Sequence, residues 1–161
     1  MPYTGPPAGS PITDDRWAQI SGLWVPYTPT WTATSGTAPS LGNGILSAEY
    51  AMNGGQCSIR LGLIAGSSTA FGSGGAWQFS LPFPAIALAA ANLQWIGSAI
   101  GTDAGQAYYA GACRVFSGGT TVMCISPITA TGAAGGEWTA SRPFTWASGD
   151  FFNVGITYQP A

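Results

Sequence analysis

The stretch that decides the fold is residues 45–64, ILSAEYAMNGGQCSIRLGLI. Its first half alternates between residues suited to a buried face and residues suited to solvent, which is the period of a β-strand. Asn53-Gly54-Gly55 follows and predicts a tight turn, because an Asn-Gly pair accepts positive φ angles. The second half alternates again. The inward residues are Leu46, Ala48, Tyr50 and Met52 in the first strand and Cys57, Ile59, Leu61 and Leu63 in the second.

The same pattern continues on both sides of this hairpin. Further strands are predicted at AWQFSL (76–81), LQWIGSAI (93–100) and DFFNVGITY (150–158), and a second hairpin is predicted around Ser117-Gly118-Gly119. Regularly spaced strands with turn signals between them and almost no helical period predict an all-β domain. The expected architecture is an antiparallel β-sandwich that is jelly-roll-like.

The N-terminal segment reads differently. Residues 1–12 are rich in Pro and Gly, which predicts an extended arm. One short helix is predicted after it, with Thr13 as the N-cap and Gly22 at the stop. The predicted organisation is therefore an arm with a short helix at 1–26, for attachment or oligomerisation, and a β-sandwich domain at 27–161.

The short helix needs a surface to lie on, because so few residues do not form a stable helix alone. Its apolar residues and those just beyond it are candidate interface residues with another subunit. They are Trp17, Ile20, Leu23 and Trp24.

The charge content is low for a free globular domain. Only 6% of residues are charged, compared with roughly 25% in a typical soluble domain. Such a surface suits a component of an assembly, covered in part by other subunits. Four scattered Arg residues and no Lys offer no footprint for nucleic acid. No signal peptide is recognised, and the most apolar run, 83–97, is too short to span a bilayer, so we expect no membrane partner and assembly in the cytoplasm.

The sequence holds little reactive chemistry. It has no His, which excludes Ser-His and Cys-His catalysis, and its three Cys have no metal-binding spacing. Buried free thiols, no metal and no cofactor are expected. An enzyme such as a depolymerase would need two facing carboxylates, for which Glu49, Glu137 and Asp150 are the candidates. Each also suits a strand face or a turn, so we expect no enzyme.

The seven Trp are the more informative residues. Trp77 and Trp95 alternate with apolar neighbours and are expected in the core. Trp31, Trp138 and Trp146 lie near turns or strand ends, where a Trp either packs or forms a binding surface. Trp138 and Trp146 are the candidate surface aromatics for binding a host glycan.

Three segments together resemble a known family. They are YTPTWTATSGTAPSLGNGILSAEY (27–50), STAFGSGGAWQFSLP (68–82) and FTWASGDFFNVGITYQ (144–159). They are similar to a β-sandwich domain found in virion proteins of tailed phages of actinobacteria, in which it occurs in minor tail and fibre proteins and as small stand-alone structural proteins. The resemblance implies a homotrimer on the virion surface and no catalytic residues.

Two placements on the virion follow from the resemblance. The first reading is a trimeric capsid decoration (cement or minor capsid) protein, which the N-terminal arm anchors to the major capsid protein. The alternative is a minor tail or fibre domain, in contact with tail proteins, that binds a host-surface glycan. The enzyme reading comes third.

Overall fold

The computed structural model describes residues 22–128, 130–132 and 134–161. Within these ranges there are ten strands and no helix. The described residues therefore contain no helix that is long and apolar enough to cross a membrane. The strands are β1 Val25–Tyr27, β2 Trp31–Ala33, β3 Ile45–Asn53, β4 Gln56–Ile64, β5 Trp77–Ser80, β6 Gln94–Asp103, β7 Ala107–Phe116, β8 Thr121–Ile128, β9 Ala134–Glu137 and β10 Phe151–Tyr158. The predicted all-β, antiparallel class is confirmed.

Hydrogen bonds join these strands into one sheet. Its order is β1-β3-β4-β10-β6-β7-β8-β5-β2, and β9 pairs with β8. The sheet curls, because Phe79 of β5 and Phe152 of β10 have ring centroids 5.3 Å apart although three strands separate β5 from β10. The sequence predicted a sandwich of two sheets. Alternation shows which face of a strand is buried, but it does not show which strands pair, so one continuous curled sheet gives the same pattern.

The predicted hairpin at 45–64 is present as β3 and β4. Asn53 lies opposite Gln56, so the loop consists of Gly54 and Gly55, with φ of 56° and 83°. Two consecutive positive φ angles are those of a type I′ turn, which matches the twist of the flanking strands. The turn is therefore centred one residue later than predicted, because two glycines adopt these angles at no steric cost whereas Asn53 would bear some.

The core lies inside the curl and is largely aromatic. Eight of its aromatic side chains are 9% exposed or less, and they come from β2, β5 and β10 and from the segment between β9 and β10. These residues are Trp31, Trp77, Phe79, Trp138, Phe144, Trp146, Phe152 and Tyr158. The buried face of β4 completes this core in the alternation that the sequence predicted. In β3 the predicted inward residue Ala48 is buried and Leu46, Tyr50 and Met52 are half-buried, but Ala51, predicted to face outward, is buried too.

The predicted helix, with its N-cap Thr13 and the interface candidates Trp17 and Ile20, lies outside the described residues. Description begins at Gly22, whose N–H donates to the carbonyl of Met52 at 3.1 Å. Strand β1 begins at Val25, two residues before the predicted boundary between the arm and the β domain, and Val25 pairs with Tyr50.

Candidate functional site

The two predicted surface aromatics lie in the core. Trp138 is 1% exposed and Trp146 is 4% exposed, so the prediction that they lie at the surface is wrong. The Nε1–H of Trp138 donates to Ser126 Oγ at 2.6 Å, and that of Trp146 donates to the carbonyl of Arg142 at 3.2 Å. Both indoles have their polar atom satisfied within the protein, and neither presents a face to a ligand.

The backbone explains why Trp138 is buried. Its N–H donates to the carbonyl of Cys124 at 2.9 Å, and its own carbonyl accepts from the N–H of Trp77 at 2.9 Å. Trp138 therefore connects β8 to β5 although it follows a Gly-rich stretch. One pairing partner, Trp77, lies more than 60 residues earlier in the sequence, so no local signal revealed the pairing.

The two described interface candidates are at the surface. Leu23 is 59% exposed and Trp24 is 42% exposed. The guanidinium of Arg60 lies over the Trp24 ring, 4.5 Å from its centroid, which is the geometry of a cation–π contact. A partly covered indole beside an exposed leucine fits a contact surface, but the interface itself stays a prediction.

The side of the sheet that faces away from the core offers a second candidate surface. We call the solvent-facing side of β3, β4, β10 and β6 the outer face. Two neighbouring rows of side chains run across it, and the strand register fixes their members. The first row is Ser47, Gly62, Asn153 and Ile100, and the second is Glu49, Arg60, Gly155 and Ser98.

A glycine interrupts each row, and each interruption leaves a recess. The notch at Gly62 has a volume of about 230 Å³ and includes Ser47, Glu49 and Arg60 in its lining. The notch at Gly155 has a volume of about 300 Å³ and includes Ser98 and Ile100 in its lining. Asn153 borders both, so the two notches adjoin. Sequence reasoning missed this surface, because the glycines fall in different strands.

The charges beside the notches neutralise each other. Arg60 forms an ion pair with Glu49, and its Nε–H donates to Glu49 Oε2 at 2.5 Å. A second ion pair joins Arg114 to Glu137 on the same side of the sheet. The charged side chains beside the notches therefore sum to no net charge.

The three candidate acid–base carboxylates all have structural partners. Glu49 and Glu137 pair with arginines, as described above. They lie on β3 and β9, which do not pair with each other, and each is held by a different arginine, whereas a glycosidase needs two facing carboxyl groups about 5–9.5 Å apart. Asp150 is 2% exposed and accepts from the N–H groups of Ala104 (2.9 Å) and Ala147 (2.6 Å). Its carboxylate orders two turns.

The cysteines are buried free thiols, as predicted. Burial raises the pKa of the Cys113 thiol to about 12 and also raises the pKa of Cys57 and Cys124. A thiol with a raised pKa is a poor nucleophile and a poor metal ligand, because the thiolate is the reactive form. Within the described ranges no group of three or more His, Cys, Asp or Glu side chains could hold a metal ion.

Comparison with known proteins gives one informative relationship. The chain is 36% identical, over 124 residues, to the Mu-like prophage FluMu defective tail fiber protein of Haemophilus influenzae. The match covers 74% of this chain and 18% of that relative, so the chain spans about a fifth of the tail fibre protein's length. No protein-family model and no solved structure matches the chain. The chain is thus similar to part of a phage tail fibre protein, from a Haemophilus prophage rather than a phage of actinobacteria.

Proposed function

We propose that this chain is a structural domain of a tailed-phage virion, placed in the tail fibre or tail tip. The observation that supports it is the 36% identity to a tail fibre protein over 74% of the chain. That relationship favours the tail-fibre reading, which was the alternative from sequence, over the capsid decoration reading, which was the first. The actinobacterial family suggested by the sequence motifs stays an expectation.

The physical character of the domain supports the same proposal. The domain has a curled sheet, an aromatic core and two arginine–glutamate ion pairs. These features suit a rigid domain that presents a surface to a partner. Nothing in its carboxylates or thiols requires a reaction, and we propose a non-enzymatic role. The proposal also includes association of the domain with itself as a homotrimer, contact with tail proteins and exposure at the virion surface. It further includes a jelly-roll-like sandwich classification.

The deciding experiment is localisation and counting on purified virions of the phage that encodes the chain. Antibody raised against the chain should place gold label at the tail, and quantitative mass spectrometry should find few copies per particle relative to the major capsid protein. A ratio near one copy per capsid subunit, with label over the head, would establish the decoration reading instead. Absence of the chain from the particle would overturn both.

A further inference from the structure

We propose that the two adjoining notches on the outer face bind a neutral saccharide. The inference deepens the proposed function and rests on it, since it names the host-surface chemistry that the fibre domain would recognise. It also moves the binding site from the buried Trp138 and Trp146 to the solvent-facing side of the central strands.

The shape of the site depends on missing side chains. A Cβ atom added to Gly155 would meet nothing within 4 Å, so the space above this residue is open. At Gly62 the nearest atom to an added Cβ is Asn153 Oδ1 at 3.1 Å, so that side chain forms a wall beside the glycine floor. Asn153 thus stands between two recesses, where it can contact units bound in both.

The walls present hydrogen-bonding groups that the protein does not use. The hydroxyls of Ser47 and Ser98 and the amide of Asn153 make no hydrogen bond to any residue that the structure describes. A serine hydroxyl both donates and accepts, and an asparagine amide offers two donors and an acceptor. Such a set matches ring hydroxyl groups, which also donate and accept.

The electrostatics favour an uncharged ligand. The charged side chains that line the notches, Glu49 and Arg60, form an ion pair with each other. A phosphate or sialic acid would have to break that pair to gain Arg60. Trp24 contacts Arg60 through its ring and is 42% exposed, so it adds an aromatic surface near Arg60 that a sugar ring can contact.

The position within the sheet argues against a polypeptide ligand. Peptides that dock on sheets pair their main chain with an exposed edge strand. Here β4 has β3 and β10 as neighbours, and β10 has β4 and β6, so neither strand offers a free edge. Only side chains and open recesses are available to a ligand at the notches. A saccharide can be recognised by such a surface through contacts of its hydroxyl groups and rings.

The test uses the full 161-residue chain on a microarray of neutral and sialylated glycans, followed by calorimetric titration with the best neutral glycan. Gly155→Thr places a branched side chain in one notch, where its Cβ has nothing within 4 Å, and Asn153→Ala removes the shared wall. Gln56→Thr places the same new side chain as Gly155→Thr on the outer face of β4, away from both notches. Circular dichroism confirms that each variant folds.

We expect neutral glycans to bind, Gly155→Thr and Asn153→Ala each to weaken binding about tenfold, and Gln56→Thr to change it less than about twofold. Unchanged affinity in Gly155→Thr, preference for sialylated glycans, or no binding on the array would overturn the proposal. So would sedimentation showing that Gly155→Thr dissociates an oligomer, since the face would then be a contact between copies.

The outcomes for the two proposals are separable. A chain found at the tail by gold labelling that binds no neutral glycan would sink the saccharide site alone. A chain that binds neutral glycans through Asn153 and Gly155 but is absent from virions would sink the tail-fibre role alone.

Discussion

The indole of Trp146 packs against that of Trp138 with ring centroids 5.6 Å apart, and the two rings meet at 51°. Trp146 lies in the segment between β9 and β10, which forms no strand, and its ring also contacts Phe144 (4.2 Å) and Trp77 (5.2 Å). Ring contacts therefore hold this segment to the core together with the backbone hydrogen bonds that Trp138 makes to β8 and β5.

Truncation of Trp146 should be strongly destabilising. Trp146→Ala removes a 4% exposed indole and leaves a cavity among other rings, so we expect a loss of about 3–5 kcal/mol in the free energy of unfolding, measured by urea denaturation. Leu23→Ala, at a 59% exposed position, is the matched control and should change the value by less than about 0.5 kcal/mol. A small loss in Trp146→Ala would mean that the segment does not pack as described.

Trp31 offers a prediction about shape rather than hydrogen bonding. Its ring lies 5.0 Å from Trp77 and 5.9 Å from Phe79, while its buried Nε1–H has no hydrogen-bond partner among the described residues. Trp31→Ala should therefore cost about 3–5 kcal/mol, but Trp31→Phe, which keeps a ring and loses no hydrogen bond, only about 1–2 kcal/mol. Equal losses in thermal unfolding of the two variants would contradict this account.

How much of the fold the sequence predicts depends on how far along the chain each sequence pattern acts. The hairpin at 45–64 is predicted nearly completely, because alternation and turn glycines act over a few residues. The strand order is not predicted. Strand β10 lies between β4 and β6, a pairing across most of the chain, and the side chains of Val154 and Leu61 would look equally buried beside any other neighbours.

The candidate site shows the same limit more sharply. Trp138 and Trp146 read as surface residues because glycines and turn residues surround them, but their burial depends on Trp77, which lies more than 60 residues earlier in the sequence. Gly62 and Gly155 read as ordinary small residues within strands. They form adjoining notches because the strand register places a residue with a long side chain beside each of them, Asn153 beside Gly62 and Arg60 beside Gly155.

Alkaline pH should destabilise the fold through its buried thiols. The pKa of Cys113 is raised from 9.0 to about 12 by burial, so the folded state keeps a proton that the unfolded state loses. The stabilisation is fully present below pH 9 and is lost as pH rises from there towards 12, at up to about 1.4 kcal/mol per pH unit for each such group. Burial also raises the pKa of Tyr27 and Tyr158, which adds to the loss above pH 10.

The measurement is the unfolding free energy in urea across this pH range. The chain has no Lys or His, so Cys and Tyr are the side chains that titrate there, and comparison with a Cys113 variant isolates the contribution of one thiol. Cys113→Ala should lower the pH dependence of the unfolding free energy above pH 9 by the contribution of one titrating group. This holds whatever the substitution does to the stability at neutral pH. If the unfolding free energy stayed constant up to about pH 11, the folded state would not be holding its thiols protonated, and this account would be contradicted.

Two glycines on neighbouring strands should respond oppositely to the same methyl group. A Cβ on Gly97 would lie 2.3 Å from the carbonyl oxygen of Gly155 and 2.8 Å from Cys113 Sγ, on the side of β6 that faces the core. Gly97→Ala must therefore displace packed atoms, and we expect a loss of about 1–3 kcal/mol.

Gly155→Ala provides the matched comparison, because an added Cβ there has nothing within 4 Å. It should leave the unfolding free energy unchanged or raise it by up to about 0.5–1 kcal/mol, since alanine loses less backbone freedom than glycine in a strand. Chemical denaturation of the two variants beside the parent chain gives both values. If Gly155→Ala proved as damaging as Gly97→Ala, the outer face of β10 would be covered in solution, and the notches would not be open to a ligand.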